Sequence, residues 1–152
     1  MEVQYGPKYK IYRKRKSWMD AKSYCKGEGG QLASVNTETD QLKLANLARG
    51  VRYVWLGGSN HNQYGFWAWA DGSYVGYTQW RKDFGSKGGI YNCLILYKGE
   101  WMDYDCTFPY YFVCQFDLKS SKLSKSVTLE YTKQNCSHPN NIKMLVLGFR
   151  KL

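Results

Sequence analysis

Polar and apolar positions alternate from Lys8 to Arg15, with Tyr9, Ile11 and Arg13 set against Lys8, Lys10 and Tyr12. That period of two predicts a strand, and its charges place it at a sheet edge. From Ser17 the period lengthens. Trp18, Ala21 and Cys25 fall at i, i+3 and i+7, which is one face of a helix, with Tyr24 beside them. Ser17 followed by Asp20 resembles a capping box with Asp in place of Glu, and Gly27, Gly29 and Gly30 stop the helix. Thr37 and Asp40 signal a second helix. Leu44, Leu47 and Ala48 form its apolar side, Leu42 and Ala45 lie nearby, and Gly50 closes it.

Beyond Gly50 the pattern is all β. Val51–Leu56 predicts a short strand ending at Gly57-Gly58. Phe66, Trp67 and Trp69, then Asp71-Gly72-Ser73, then Tyr74, Tyr77 and Trp80 predict a hairpin around an Asp-Gly turn. Residues 81–89 are a polar, glycine-rich loop. Ile90–Tyr97 predicts a strand, Gly99-Glu100 a turn, Trp101–Cys106 a second short segment and Tyr110–Phe116 a strong apolar strand. After that, Val127, Leu129 and Tyr131 alternate with polar residues, Lys133–Asn141 is turn-like, and Ile142–Phe149 is apolar again, predicting an added hairpin.

Composition narrows the class. The chain has 152 residues, 43% hydrophobic and 22% charged. It therefore has the apolar content a disordered chain lacks, and no apolar run approaches the roughly 20 residues of a membrane helix. Aromatics reach 17%, as expected of a packed β-rich domain. The first twenty residues hold no apolar stretch of the kind a signal peptide needs, which fits a mature or excised domain, or a cytosolic protein. The formal charge of +10 sits at the two ends: +6 in residues 1–26, −1 in residues 27–116 and +5 in residues 117–152. Its densest run is Arg13, Lys14, Arg15 and Lys16. Such a run is either a solvated edge or a patch for a sulfated glycan, nucleic acid or anionic membrane. No nucleic-acid-binding motif accompanies it, so a nucleic acid partner is not expected.

Five cysteines are Cys25, Cys93, Cys106, Cys114 and Cys136, with no CxxC pair, and the imidazoles are His61 and His138. That spacing argues against structural zinc. Two disulfides and one odd thiol fit better and imply an oxidising compartment. Cys136 is the odd one, either a free thiol or a bridge between two chains. Asn135-Cys136-Ser137 also makes Asn135 a glycosylation acceptor.

The order of these motifs resembles the C-type lectin-like domain. The resemblance rests on Trp18-x-x-Ala21-x-x-x-Cys25, Gly30-Gln31-Leu32-Ala33-Ser34-Val35 and Trp55-Leu56-Gly57-Gly58. It continues through Trp67-x-Trp69-x-Asp71-Gly72-Ser73 to Trp80, then Cys93, Trp101-Met102-Asp103, Cys106 and Phe112-Val113-Cys114. It covers about residues 5–117. It implies an α+β fold of two helices with antiparallel sheets and a long irregular loop region. It also implies disulfides Cys25–Cys114 and Cys93–Cys106, core or loop-anchoring roles for Trp55, Trp67, Trp69, Trp80 and Trp101, and domain ends that lie together away from the long loop. Residues 1–117 are then the domain, and 118–152 an extension packed on it as a hairpin.

Sugar-binding members resemble one another in a Glu-Pro-Asn or Gln-Pro-Asp triplet, a Glu before the third-from-last cysteine, and Trp-Asn-Asp. These supply oxygens to Ca2+, which takes about six to eight of them. Here the loop from Trp80 to Cys93 has no proline, Arg81-Lys82-Asp83-Phe84 stands in place of the triplet, and Tyr91-Asn92 precedes the cysteine. Met102 replaces an oxygen ligand with a thioether, which suits a hard cation poorly. Only Asp103, Asn92 and Asp83 remain as donors, and Lys82 and Lys87 repel a cation. No cofactor is expected, Ca2+ being disfavoured. Lys82, Phe84, Lys87, Tyr91 and Lys98 offer cations and aromatic faces instead. No nucleophile elbow, phosphate loop or HExxH is present, so the chain is not read as an enzyme. The reading is a non-enzymatic, secreted or ectodomain recognition module that binds a protein or acidic glycan without Ca2+. Its alternatives are a Ca2+-dependent sugar lectin and an assembly subunit dimerising through the extension.

Overall fold

The computed structural model describes residues 6–117. The expected C-terminal hairpin, Asn135 and Cys136 lie outside the described residues. The element order is β1 (Lys8–Lys16), α1 (Trp18–Gly27), β2 (Gln31–Leu32), α2 (Glu38–Leu47), β3 (Val54–Ser59), β4 (Tyr91–Tyr97), β5 (Glu100–Asp105) and β6 (Tyr110–Phe116). Both helices start as their sequences dictate. The Ser17 hydroxyl accepts from the Asp20 amide at 3.2 Å, and the Thr37 hydroxyl from the Asp40 amide at 3.1 Å. Asp40 completes the second cap by accepting from the Asn36 amide at 3.2 Å.

The strands form one sheet in the order β1-β6-β3-β4-β5, with β2 also paired to β6. The sheet is mixed and not purely antiparallel: β3 runs parallel to β6, with Val54 opposite Tyr111 and Trp55 opposite Phe112. Alternation along the strands divides the core into two. On one face Val54, Leu56, Leu94, Leu96, Trp101 and Val113 pack with Leu44 of α2 and with Ala48, which caps that helix. On the other Trp55, Cys93, Ile95, Phe112 and Cys114 pack with Trp18, Ala21 and Cys25 of α1. Disulfides join Cys25 to Cys114, tying α1 to β6, and Cys93 to Cys106.

Several boundaries differ from those the pattern predicts. β3 does not end at Gly57-Gly58 but runs through both. A Cβ at Gly57 would lie 2.5 Å from the Leu32 carbonyl oxygen, so this glycine serves close strand approach and not a turn. Gly99-Glu100 is not the turn: the reversal is at Lys98-Gly99, both at positive φ, and Glu100 opens β5. Leu42 does not join the apolar side of α2; it is exposed. The segment from Phe66 to Trp80 turns at Asp71-Gly72 as expected, but its pairing is reduced to isolated bridges, among them Ala68 with Tyr74.

Candidate functional site

The stretch between β3 and β4, residues 60–90, is the long loop. Tryptophans fasten it to the sheet. Trp101 donates its backbone amide to the Gln79 carbonyl at 2.8 Å, and its own carbonyl accepts from the Arg81 amide at 2.9 Å. The Trp101 indole is fully buried and donates to Gln41 of α2 at 2.8 Å. Trp67 and Trp80 pack against each other with centroids 4.8 Å apart, and the Trp67 indole donates to the Gly85 carbonyl at 2.8 Å. Trp55 and Trp69 are core residues. The five tryptophans thus hold core and loop in place, as the resemblance implies.

Asp103 is the centre of this arrangement. Two residues beyond Trp101 on β5, its side chain lies beneath the loop with no solvent exposure. One carboxylate oxygen accepts from the Gly85 amide at 3.0 Å and the other from the Lys87 amide at 2.7 Å. Gly85 sits at φ +98°, and a Cβ there would lie 2.7 Å from the Trp80 ring. Only glycine supplies this amide, this carbonyl and this clearance together.

The other residues singled out by sequence are partly gathered. The Lys87 ammonium lies 3.9 Å from the centroid of Phe84 and 5.3 Å from that of Tyr91, making one cation–aromatic group. Asn92 spends its amide nitrogen on the Gly89 carbonyl at 2.7 Å. Lys82 and Asp83 are exposed, Asp83 in the left-handed region at φ 67°. Lys98 does not belong to this group. It stands at the β4–β5 turn, 5.4 Å from the Tyr97 ring. Among the described residues the grouping of His, Cys, Asp or Glu close enough to share a metal is His61, Cys93 and Cys106, and both its sulfurs are tied up in a disulfide.

The structure adds a surface that the pattern does not single out. Tyr64, Phe66 and Tyr74 are 59–73% exposed, and their rings touch in sequence at 6.5 and 6.4 Å. Three adjoining aromatic rings are thus turned to solvent. Of the aromatics in this run only Trp69 is buried, while Trp67, Tyr77 and Trp80 are half-buried, and residue type alone does not tell the two groups apart.

The Arg13–Lys16 run is divided by strand alternation. Lys14 and Lys16 lie over the Tyr24 ring of α1, at 5.0 and 5.3 Å. Arg15 instead lies over Tyr111, at 5.9 Å.

Residues 14–116 match the lectin C-type domain family. The chain is 32% identical over 124 residues to C-type lectin 1 of Hydrophis hardwickii, spanning 74% of each chain. It is 34% identical over 119 residues to C-type lectin lectoxin-Lio1 of Erythrolamprus poecilogyrus, spanning 70% of this chain and 72% of that one. The fold is that of the mouse scavenger receptor C-type lectin carbohydrate-recognition domain, with TM-score 0.70, 24% identity and coverage of 76% of this chain and 92% of that one.

Proposed function

The chain belongs to the lectin C-type domain family, and from that premise we propose that it is a non-enzymatic extracellular recognition domain that binds a protein ligand through its long loop without Ca2+. The observation that carries this reading is Asp103. Both its oxygens are engaged by amides of the loop itself. An ion there would have to share these two oxygens with the loop's amides, at a carboxylate that the loop leaves with no solvent exposure. The remaining donors do not suit calcium either: Asp83 is exposed at a strained turn, Met102 offers sulfur, and the Lys87 ammonium lies close by on Phe84 and Tyr91. Without a metal to take up vicinal sugar hydroxyls, the surface on offer is aromatic, and Tyr and Phe are enriched at protein interfaces. Two disulfides fit an oxidising, extracellular setting, and among the described residues no helix is long and apolar enough to cross a membrane.

The test has two arms. The thermal midpoint of the full chain is expected to be the same in millimolar Ca2+ and in chelator, because a ligand that binds only the folded state raises it by mass action. A rise with Ca2+ that chelator reverses overturns the metal-free reading in favour of a sugar lectin. An array of secreted proteins and receptor ectodomains, probed in chelator, is expected to give hits that Tyr64→Ser/Phe66→Ser/Tyr74→Ser weakens tenfold or more. Hits that ignore those three substitutions overturn the assignment of the surface.

A further inference from the structure

β1, β3 and β6 meet at one end of the sheet, because β1 runs antiparallel to β6 and β3 runs parallel to it. The end of β1 and the starts of β3 and β6 therefore come together, and the long loop leaves from the other end of β3. A groove of about 440 Å³ opens there, lined by Arg13, Arg15, Arg52, Tyr53, Tyr110 and Tyr111. Sequence places Arg52 nearly forty residues from the basic run, so only the parallel pairing of β3 and β6 unites the three guanidinium groups.

All three arginines are exposed. Among the described residues none of them has a carboxylate within 4.0 Å; the ion pair found there is Arg81 with Glu100, further along the surface. The positive field extends past the groove. Tyr53 stacks on Tyr97 at 5.1 Å, and Arg81 and Lys98 lie 5.3 and 5.4 Å from the centre of that second ring. Slight burial favours the neutral Tyr97 phenol, but Lys98 and the hydrogen-bonding Arg52 outweigh it and hold its pKa below the ordinary value. In the groove itself burial, then hydrogen bonding with Tyr104, holds Tyr110 above the ordinary phenol range, so it remains a neutral hydroxyl. The three groove arginines, gathered without counter-charges, repel one another, and an anion relieves that repulsion.

We propose that the Arg13–Arg15–Arg52 groove is a second binding site, separate from the loop, for the sulfate groups of an extracellular sulfated polysaccharide. Guanidinium groups present paired N–H donors that match sulfate oxygens. Arg13 and Arg15, two residues apart on a strand, stand on the order of 6–7 Å from each other. The third guanidinium, that of Arg52, lies over the Tyr53 ring at 5.3 Å and lines the same groove. This is an arrangement for negative groups repeated along a polymer, not for a single buried anion. Nucleic acid is disfavoured by the state of the rings. Tyr53 packs against both Tyr97 and Tyr110 at 5.1 Å, and the face of Tyr111 carries Arg15, so no free platform for base stacking is presented. Disulfides also place the chain where sulfated glycans occur.

The opposite face of the same strand supplies a charge-matched control. Lys10, Lys14 and Lys16 lie over Tyr12 and Tyr24 and do not line the groove. Binding of the full chain to a heparin oligosaccharide is measured at physiological salt for Arg13→Ala/Arg15→Ala/Arg52→Ala and for Lys10→Ala/Lys14→Ala/Lys16→Ala. The arginine variant is expected to lose tenfold or more in affinity and the lysine variant less than threefold. Equal losses would show that net charge alone governs binding and overturn the groove. Retained affinity in the arginine variant overturns it as well. Single-stranded DNA that binds as tightly as heparin, with the same dependence on the arginines, overturns the choice of sulfated glycan. Arg13→Gln alone, which removes one positive charge from an exposed side chain, keeps the readout should the triple variant be unstable. The Tyr64→Ser/Phe66→Ser/Tyr74→Ser variant is expected to bind heparin unchanged, so failure of the loop reading and failure of this one are distinguishable.

Discussion

Asp103→Ala is expected to lower the unfolding free energy by about 3–6 kcal/mol, because two backbone amides lose a charged acceptor worth about 1.5–3 kcal/mol each. Those amides belong to Gly85 and Lys87, and neither has another acceptor within the loop as it is built. The Gly85 carbonyl anchors the Trp67 indole, so the loss propagates to the Trp67–Trp80 contact. Urea denaturation measures the total, and amide hydrogen exchange at residues 85 and 87 reports the local opening. Asp103→Asn is expected to cost less, since it keeps one acceptor while turning an NH2 group toward the second amide. A change under about 1 kcal/mol for the alanine variant would mean that the loop is held by its tryptophans alone.

Cys25→Ala/Cys114→Ala is expected to cost about 4–5 kcal/mol on the chain-entropy account of cross-links, and Cys93→Ala/Cys106→Ala about 3. The difference follows from sequence separations of 89 and 13 residues. The long bridge closes nearly the whole domain, so its removal frees an unfolded chain that can expand fully. Cys25 and Cys114 are also fully buried between α1 and β6, so alanine leaves small voids beside Trp18 and Phe112. Denaturant midpoints and slopes of the two double variants test the order. An equal or reversed order would show that the short bridge does more than close its own loop.

Much of this fold is legible in local pattern. The two caps, the buried face of α1 and the strand Tyr110–Phe116 follow from residue type and spacing, and they appear where those place them. Pairing of the cysteines follows from resemblance, since spacing alone leaves it open. What local pattern misses are features fixed by distant partners. Gly57-Gly58 reads as the end of a strand until the Leu32 backbone and the Leu94 side chain are seen against it. Asp103 reads as a hydrogen-bonding residue of the loop, but which groups it holds, amides 16 and 18 residues upstream, depends on how the loop folds over it. Lys98 reads as a loop residue, but the tight β4–β5 turn keeps it beside Tyr97. Arg52 carries no signal of its own. The alternation of β1 does foretell that Arg13 and Arg15 part from Lys14 and Lys16, yet the partner across the groove depends on sheet order.

That sheet order has a consequence for how copies of the chain meet. Among the described residues β1 is bonded on one side only, to β6, and so forms a sheet border. Its outward residues include Lys8, Lys10, Arg13, Lys14 and Arg15. Two molecules aligning these borders to extend one sheet across both would set like charge against like charge along the whole seam. The strand therefore carries a colloidal barrier against templated growth into fibres. Dissolved ions weaken that barrier over a screening length of about 8–10 Å. The cations of this border keep crowded copies apart on the same strand that aligns Arg13 and Arg15 along the groove.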